Sequence, residues 1–255
     1  MKVILLAGGL GTRLSEETKK IPKPLVKIGK YPILVHIMNI YSHYKFRNFI
    51  ICGGYKVEKI INFFKSFLDF RLIKKDNRQT IFFSKKKQWY VNIQFTGIKT
   101  NTGGRLLKLK KILKNEKKFF LTYGDGLSNI DINKLLKFHN KNKLLATVTA
   151  VKPPARFGVL QIIGNEVKKF QEKVDNKKTW INGGFFVFTK EIFKYLKNNS
   201  DSLEQNVLTK IVKDKKMSAY KHDDFWLPMD TLRDKNKLNE LLKKNPPWKY
   251  FDEKK

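Results

Sequence analysis

Apolar positions along the first two-thirds of the chain follow two alternating patterns. Short continuous apolar runs, such as Val3 to Leu6, are typical of strands covered on both faces of a sheet. Longer segments repeat apolar residues at helical spacing, as Leu34, Ile37 and Tyr41 do after Pro32. This alternation predicts an α/β fold with a doubly wound, mostly parallel, Rossmann-like sheet.

The same pattern gives approximate bounds for the predicted strands and helices. The predicted strands of this part are Lys2 to Ala7, Asn48 to Cys52, Val91 to Phe95, Phe119 to Tyr123 and Leu145 to Val151. The predicted helices begin at Pro32 and after Gly54, and cover Gly103 to Leu113 and residues 131–140. Residues 65–90 are lysine-rich and irregular in pattern, so we expect an insertion or flap there.

The pattern changes after Pro153. Short strands are expected at Gly158 to Ile163, Glu166 to Phe170 and Ile181 to Phe188, as an antiparallel or mixed extension. Helices are expected at Thr189 to Lys197, Leu203 to Val212 and Thr231 to Lys243. With no internal repeat or low-complexity linker in the sequence, we expect one domain over 1–255, with parts of about 1–152 and 153–255.

Composition narrows the class of protein. No stretch approaches the roughly 20 apolar residues of a membrane span, and no signal-peptide pattern precedes the first strand. The single cysteine, Cys52, excludes a disulfide or zinc framework. We therefore expect a cytoplasmic protein with no membrane partner.

The formal net charge of +32 invites a nucleic-acid interpretation. Arginine is scarce, however, and lysine is spread along the whole length beside abundant Asn, Ile and Phe, which a bias towards A- and T-rich codons explains more simply. We expect no specific nucleic-acid partner, although the charge should help collect anionic substrates in a salt-sensitive way. A basic nucleic-acid-binding module remains the alternative from another class.

A glycine-rich bend follows the first strand and carries the most informative chemistry. Gly8, Gly9 and Gly11 let backbone amides approach phosphate oxygens, and Arg13 and Lys23 add positive charge beside them. The bend is not a dinucleotide fingerprint, because the third glycine and the later acidic residue are missing, and it is not a Walker A loop.

Two carboxylates are candidate metal ligands. Asp125 follows the buried strand Phe119 to Tyr123, at the sheet edge where open α/β folds bind ligands. Asp230 precedes a predicted helix and could equally be its N-cap. Two carboxylates with substrate phosphates and water make a typical Mg²⁺ shell.

Polar residues also interrupt or follow apolar strands in the second part of the chain, and they suggest a hydroxyl-rich ligand. These residues are Glu172, Lys173 and Asn182.

These strings together resemble the sugar-1-phosphate nucleotidyltransferase family, whose signature is Gly-Gly-x-Gly-Thr-Arg followed by Pro-Lys-Pro. The resemblance is closest to the cytidylyltransferase branch that acts on glucose 1-phosphate. It covers nearly the whole chain, with residues 65–90 as the weak zone. The matching strings are residues 11–18, 102–105, 122–126, 147–151, 153–158, 180–186 and 225–234.

The resemblance implies transfer of a cytidylyl group from CTP to α-D-glucose 1-phosphate with Mg²⁺, giving CDP-glucose for deoxysugar, O-antigen and other surface polysaccharide synthesis. Residues 1–152 would bind the nucleotide and 153–255 the sugar. The implied catalytic residues are Arg13, Lys23, Asp125 and Lys173. The implied nucleotide-binding residues are Leu6, Ala7, Gly8, Gly9, Gly11, Thr12, Arg13, Lys23, Gly104, Arg105 and Gly124. The implied sugar-binding residues are Gly158, Glu172, Lys173 and Asn182, and the implied metal ligands are Asp125 and Asp230.

Two departures from the family pattern stand in this sequence. Val174 replaces the usual proline after Lys173, and Gly29-Lys30-Tyr31-Pro32 replaces a more usual double glycine. The resemblance further implies a homo-oligomer, often a hexamer in this family. A uridylyl- or thymidylyltransferase of the same fold is the nearest alternative, because the residues alone do not select the base.

Overall fold

The computed structural model describes residues 1–153, 159–163, 166–171 and 179–248. In these residues the chain forms strands β1 to β15, in order Val3–Ala7, Lys27–Ile28, Tyr31–Pro32, Asn48–Gly53, Phe70–Lys75, Gln79–Ser84, Trp89–Phe95, Lys118–Tyr123, Gly126–Ser128, Ala146–Val151, Val159–Ile163, Glu166–Gln171, Ile181–Thr189, Met217–His222 and Trp226–Pro228. Helices α1 to α7 are Ser15–Thr18, Ile33–His43, Val57–Ser66, Thr102–Lys108, Ile132–Asn142, Thr209–Lys213 and Leu232–Lys243. Shorter turns of helix are Thr12–Leu14, Lys23–Leu25, Lys190–Lys194 and the π-helical Leu203–Leu208.

Nine of these strands form one mixed sheet in the order β14-β10-β13-β8-β1-β4-β7-β6-β5. Its centre is parallel, since β1 pairs in parallel with β4 and β8, and β4 with β7. On one side β13 inserts antiparallel between β8 and β10, and β14 pairs in parallel with β10. The predicted α/β fold with a mixed C-terminal extension is confirmed, and both halves of the chain contribute strands to this sheet.

The expectation for residues 65–90 is wrong in its detail. They are not an irregular flap: after the end of α3, β5 and β6 form a hairpin that extends the sheet antiparallel to β7. Phe82 is fully buried, whereas the outer strand β5 is exposed from Arg71 to Lys75. Neither strand of the hairpin shows a clear two-residue alternation, because β5 is exposed over most of its length and β6 is buried at Thr80, Ile81 and Phe82 in succession, so the sequence pattern is irregular.

Helices cover both faces of the sheet. Alternate residues of β1 point to opposite sides, as the two-residue period of a strand requires. Val3 and Leu5 join one apolar cluster with residues of α2, α3, α5 and α7. Ile4 joins a second cluster with residues of α4, α6 and the π-helical turn. This is the doubly wound arrangement that the continuous apolar runs predict.

Several helix bounds differ from the predicted ones. Helix α4 ends at Lys108, five residues before the predicted end. The predicted helix Leu203 to Val212 is a π-helical segment, Leu203–Leu208, continued by α6. The predicted strands near 158–170 are β11 and β12, which pair with each other outside the main sheet. Among the described residues, no helix is long and apolar enough to cross a membrane.

Candidate active site

The glycine-rich bend lies at the carboxyl end of the central strand β1. Gly11 has a left-handed backbone (φ +68°), and a Cβ there would come within 2.8 Å of Thr18 Cγ2, so the turn requires glycine. The amide of Leu14 donates to the carbonyl of Gly11 at 3.0 Å and closes a short helical turn that carries Arg13. The bend is thereby held at the sheet edge where ligands bind in open α/β folds.

Two carboxylates meet at the same edge because a small strand pair brings their segments together. Asp125 precedes β9 and Asp230 follows β15, and these strands pair antiparallel with Pro228 opposite Gly126. The amide of Met229 also donates to the carbonyl of Asp125 at 2.8 Å. Residues about one hundred positions apart in the sequence thus share one site.

Asp230 is not the cap of the following helix. Thr231 is the N-cap of α7, and its side chain accepts from the amide of Asp234, while the Asp234 carboxylate accepts from the amide of Thr231. This reciprocal capping box satisfies the start of the helix without Asp230. Asp230 is therefore not needed as a helix cap, and its carboxylate contacts Lys23 in the site.

Lys23 connects the two carboxylates. Its ammonium nitrogen lies 2.6 Å from Asp125 Oδ2 and 2.8 Å from Asp230 Oδ1. Arg13 Nη1 donates to Asp230 Oδ2 at 3.0 Å, although the Arg13 side chain is 74% exposed. The four predicted residues Arg13, Lys23, Asp125 and Asp230 therefore lie together in one ion-pair network.

The environment of Lys23 favours its charged form. Burial by itself lowers the pKa of Lys23, but attraction and hydrogen bonds to Asp125 and Asp230 outweigh burial, so its pKa lies above the ordinary value. Lys23 is thus a fixed cation at neutral pH, next to the bend whose amides can receive phosphate oxygens.

A divalent metal ion fits the same carboxylates. Asp125 and Asp230 already converge on one cation, the Lys23 ammonium, and carboxylate oxygens are the ligands that hard divalent ions prefer. Within the described residues, no group of three or more His, Cys, Asp or Glu side chains could hold a metal by itself. Substrate phosphates and water would have to complete such a shell.

Arg105 is buried beneath the glycine-rich bend, unlike the largely exposed Arg13. Its guanidinium is buried and donates to the carbonyls of Gly8 (2.8 Å) and Gly97 (2.8 Å) and to Thr96 Oγ1 (2.7 Å). A Cβ on Gly8 would lie 2.1 Å from Arg105 Nη1, so this guanidinium fills the space under the glycine-rich bend. Arg105 ties the glycine-rich bend to the loop after β7 rather than presenting a free cation to a phosphate.

Gly104 likewise packs against other residues of the chain. A Cβ there would come within 2.3 Å of the Asn199 carbonyl, and the Gly104 amide donates to the Asp201 carbonyl at 3.1 Å. This glycine lets α4 lie against the segment before the π-helical turn. The structure therefore gives both Gly104 and Arg105 a place in packing, and their nucleotide contact remains a prediction.

The site opens into a cleft of two adjoining cavities, of about 330 and 530 Å³. Both are lined by Leu6, Gly9, Arg13, Gly124 and Asp125, and thus share a wall. The smaller cavity is also lined by the predicted residues Ala7, Gly11, Thr12 and Lys23. The larger adds Gly8, Arg105 and Asn182 from the prediction.

Several cleft residues were assigned no role from the sequence, and among them are Thr102, Tyr123 and Glu204, which all line the larger cavity. Thr102 and Tyr123 lie inside strings that the family resemblance quotes, so those strings were the available signal. Glu204 lies in a helical segment with no distinguishing pattern, and only the fold brings it to the cleft.

The predicted sugar-binding set is described only in part. Gly158, Glu172 and Lys173 lie outside the described residues. Asn182 is in β13, and its side chain donates to Tyr123 Oη at 3.0 Å at the wall of the larger cavity. Chemically, the described site can neutralise a polyphosphate and hold a metal ion at one end, and contact hydroxyl groups at the other.

Comparisons with known proteins agree with this geometry. Residues 2–234 match the family model described as nucleotidyl transferase. The chain is 42% identical to the glucose-1-phosphate cytidylyltransferase of Salmonella typhimurium, covering 99% of this chain and 100% of that protein. It is 38% identical to the probable glucose-1-phosphate cytidylyltransferase of Bacillus subtilis, covering 94% and 96%.

A solved structure shares the fold. The putative glucose-1-phosphate thymidylyltransferase from Bacillus anthracis, in complex with a sucrose, superposes with a TM-score of 0.71 at 20% identity, covering 96% of both chains. The full-length matches to curated enzymes and the match to the family model together show that this chain belongs to the nucleotidyl transferase family.

Proposed function

We propose that this enzyme transfers a cytidylyl group from CTP to α-D-glucose 1-phosphate, releasing pyrophosphate and CDP-glucose. The observation that carries the choice of substrates is the 42% identity over the full length of a relative named for this activity. The Lys23–Asp125–Asp230 network beside the glycine-rich bend supports the reaction class, because it assembles cations and metal-binding carboxylates where a polyphosphate would lie.

The reaction needs no nucleophile from the protein. An oxygen of the sugar phosphate forms a bond to the α-phosphorus, and the bond from that phosphorus to the bridging oxygen of the β-phosphate breaks, which releases pyrophosphate. Two anions must approach each other, so the protein has to hold them in line and offset their repulsion. Positioning of this kind can lower a barrier by about 7–11 kcal/mol, and fixed cations stabilise charge in the transition state.

The described residues divide this work. The amides of the bend from Gly8 to Gly11 would contact the triphosphate, and the largely exposed Arg13 side chain would turn from Asp230 towards its phosphates. Lys23, charged and largely buried, would offset the charge near the α-phosphate. Glu172 and Lys173, which lie outside the described residues, would hold the sugar and its phosphate by family resemblance, with Gly158 and Asn182.

Enzymes of this family generally use a divalent metal ion, and we propose Mg²⁺ held by Asp125 and Asp230. Its chemistry there is to draw charge from the phosphate oxygens and to orient the triphosphate. The two carboxylates converge on one point, as such a site requires. Each keeps part of its side chain exposed, and Asp125 lines the cleft.

We also propose a homo-oligomer, for which a hexamer is the expectation, and a cytoplasmic location, where nucleoside triphosphates are available. The division into a nucleotide-binding part (about 1–152) and a sugar-binding part (about 153–255) is a further part of the proposal. Sedimentation velocity measures the oligomeric state directly.

The deciding experiment is pyrophosphate release with glucose 1-phosphate and Mg²⁺, with CTP, UTP, dTTP, ATP and GTP offered separately. Release with CTP alone is expected. Release with another nucleotide keeps the mechanism and overturns the base assignment. Absence of release with every nucleotide overturns the sugar substrate, and a parallel RNA-binding assay then tests the alternative of a basic nucleic-acid-binding module.

A further inference from the structure

A chain of hydrogen bonds crosses the wall of the larger cavity. Asn182 Nδ2 donates to Tyr123 Oη at 3.0 Å, and Tyr123 Oη donates to Glu204 Oε1 at 2.6 Å. The three residues come from β13, the end of β8 and the π-helical segment Leu203–Leu208. Single π-helical turns are frequent at functional sites, and here the turn carries Glu204.

The direction of each bond is fixed. An ionised carboxylate only accepts, so the Tyr123 hydroxyl must donate to Glu204 and accept from Asn182. The Asn182 carbonyl oxygen in turn accepts from the Gly184 amide at 2.8 Å, which sets the orientation of its amide group. Burial, reinforced by the nearby Glu204 charge, raises the pKa of Tyr123 and keeps it a donor.

Hydroxyl groups also hold the second oxygen of Glu204. Glu204 Oε2 accepts from Thr102 Oγ1 at 2.7 Å and from Ser202 Oγ at 3.0 Å. Thr102 Oγ1 is itself oriented by the Leu203 amide at 2.8 Å. A carboxylate has about four lone-pair sites, so these three bonds leave acceptor capacity on a side chain that lines the cavity.

We propose that Glu204 is a specificity-determining residue that accepts a hydrogen bond from a ring hydroxyl of a bound sugar unit. That unit is either the hexose of the sugar phosphate or the ribose of the nucleotide. A phosphate group does not fit, because it is anionic and would meet a carboxylate. The Asn182 amide is bridged to Glu204 by Tyr123 Oη and supplies a donor on the same cavity wall as this acceptor. A donor and an acceptor on one wall match a pair of ring hydroxyls. This inference rests on the proposed function.

The test combines variants with substrate analogues. Glu204→Gln keeps the shape of the side chain but replaces one accepting oxygen by a donor. It is expected to raise the KM of one substrate about tenfold or more, the usual effect of losing a hydrogen bond to a charged group. Tyr123→Phe, which keeps the ring against Gly184, is expected to raise the KM of the same substrate by a smaller factor.

Deoxy analogues identify the hydroxyl. For the analogue that lacks the contacting hydroxyl, wild type and Glu204→Gln should have the same KM, whereas other deoxy analogues keep the difference. Deoxyglucose 1-phosphates test the hexose, and 2′-deoxy-CTP and 3′-deoxy-CTP test the ribose. Either source supports the inference, and the two sets of analogues tell them apart.

The chain offers a matched control in a second tyrosine–carboxylate pair, since Tyr195 Oη donates to Asp214 Oδ2 at 2.5 Å in a separate pocket. Tyr195→Phe should leave both KM values unchanged. Unchanged KM values in both cleft variants overturn the inference, as does an equal loss with every deoxy analogue, which indicates a structural role. If Glu204→Gln does not fold, the Tyr123→Phe comparison decides. Failure of the proposed function is separate, because it appears as wild type that is inactive with CTP and glucose 1-phosphate; the comparison is then made with the pair that wild type uses.

Discussion

The ammonium nitrogen of Lys23 lies 2.6 Å from Oδ2 of Asp125. The same nitrogen is 2.8 Å from Asp230 Oδ1, so one lysine neutralises both proposed metal ligands. A metal ion that binds alone must compete with this ammonium. A metal ion that arrives with a triphosphate meets less competition, because the phosphates offer Lys23 new partners.

This arrangement predicts that metal and nucleotide bind cooperatively through Lys23. In Lys23→Met, Mn²⁺ alone should bind about tenfold more tightly, because the competing cation is gone. The gain in Mn²⁺ affinity on adding CTP should also shrink. Electron paramagnetic resonance of free Mn²⁺ measures both affinities without turnover. Lys20→Met, an exposed lysine nearby, is the control, and equal or weaker Mn²⁺ binding in Lys23→Met contradicts the prediction.

Asp125→Asn should abolish turnover with little effect on folding. The amide keeps the size of the carboxylate but removes a negative charge facing Lys23 and the proposed metal ion. The expected loss of kcat is at least about 10²–10³-fold, the scale found when one charge-stabilising group is removed. The melting temperature should stay within a few degrees of wild type, because the side chain is partly exposed at the sheet edge. Near-normal kcat would remove Asp125 from the proposed site.

Much of the fold could be predicted because most central strands appear in the sequence as short local patterns of apolar residues. The parallel strands β1, β4 and β8 are buried on both faces, and each appears in the sequence as a short apolar run near its observed bounds. The fourth parallel strand, β7, alternates apolar residues with Asn92 and Gln94. The β5–β6 hairpin was missed because its outer strand is exposed and rich in charge. Such an edge strand carries little apolar periodicity, so only its pairing with β6 defines it.

The residues of the candidate site are likewise of two kinds: some are visible as one local motif, and others are brought together only by the fold. Gly11, Arg13 and Lys23 lie within one short stretch, so their shared chemistry is visible in the sequence. The meeting of Asp125 and Asp230 depends on the β9–β15 pair, and the position of Glu204 depends on a π-helical turn. The role of Arg105 could not be predicted either, because an arginine beside glycines looks the same whether its guanidinium faces a phosphate or backbone carbonyls.

Stability should fall in mild acid because of His36. This residue is buried in α2; its Nε2 lies 2.9 Å from the Ile28 carbonyl, and Trp248 Nε1 donates to its Nδ1 at 3.3 Å. Since indole N–H only donates, Nδ1 must be an unprotonated acceptor, and Nε2 then carries the proton. Burial lowers the pKa of His36 from 6.5 to about 4.

The direction in which pH changes the free energy of unfolding follows from proton binding at His36. Between pH 6.5 and about 4 the unfolded chain binds a proton at His36 that the folded chain does not, so the free energy of unfolding decreases as the pH falls. The full effect is about 3 kcal/mol, from about 1.4 kcal/mol per pKa unit. Urea unfolding at several pH values measures this slope. His36→Gln should flatten it relative to exposed His43→Gln, and equal slopes in the two variants contradict the prediction.

Arg105→Lys should damage both folding and nucleotide binding. An ammonium cannot reach the Gly8 and Gly97 carbonyls and Thr96 Oγ1 together, so buried acceptors lose their partner. The expected cost is about 2–4 kcal/mol, which lowers the melting temperature by roughly 5–15 °C for a chain of this size. Because the Gly8 carbonyl belongs to the glycine-rich bend, the KM of CTP should rise in the same variant.

The combination of the two effects separates the possible roles of Arg105. A guanidinium that only bound phosphate would cost CTP affinity without a change in melting temperature, since an exposed cation can be lost with little effect on folding. A guanidinium that supports the bend must change both quantities together. Arg71→Lys, on the exposed outer strand of the β5–β6 hairpin, should change neither. Calorimetric melting and CTP titration on the three proteins decide between a phosphate ligand and a support beneath the phosphate-binding bend.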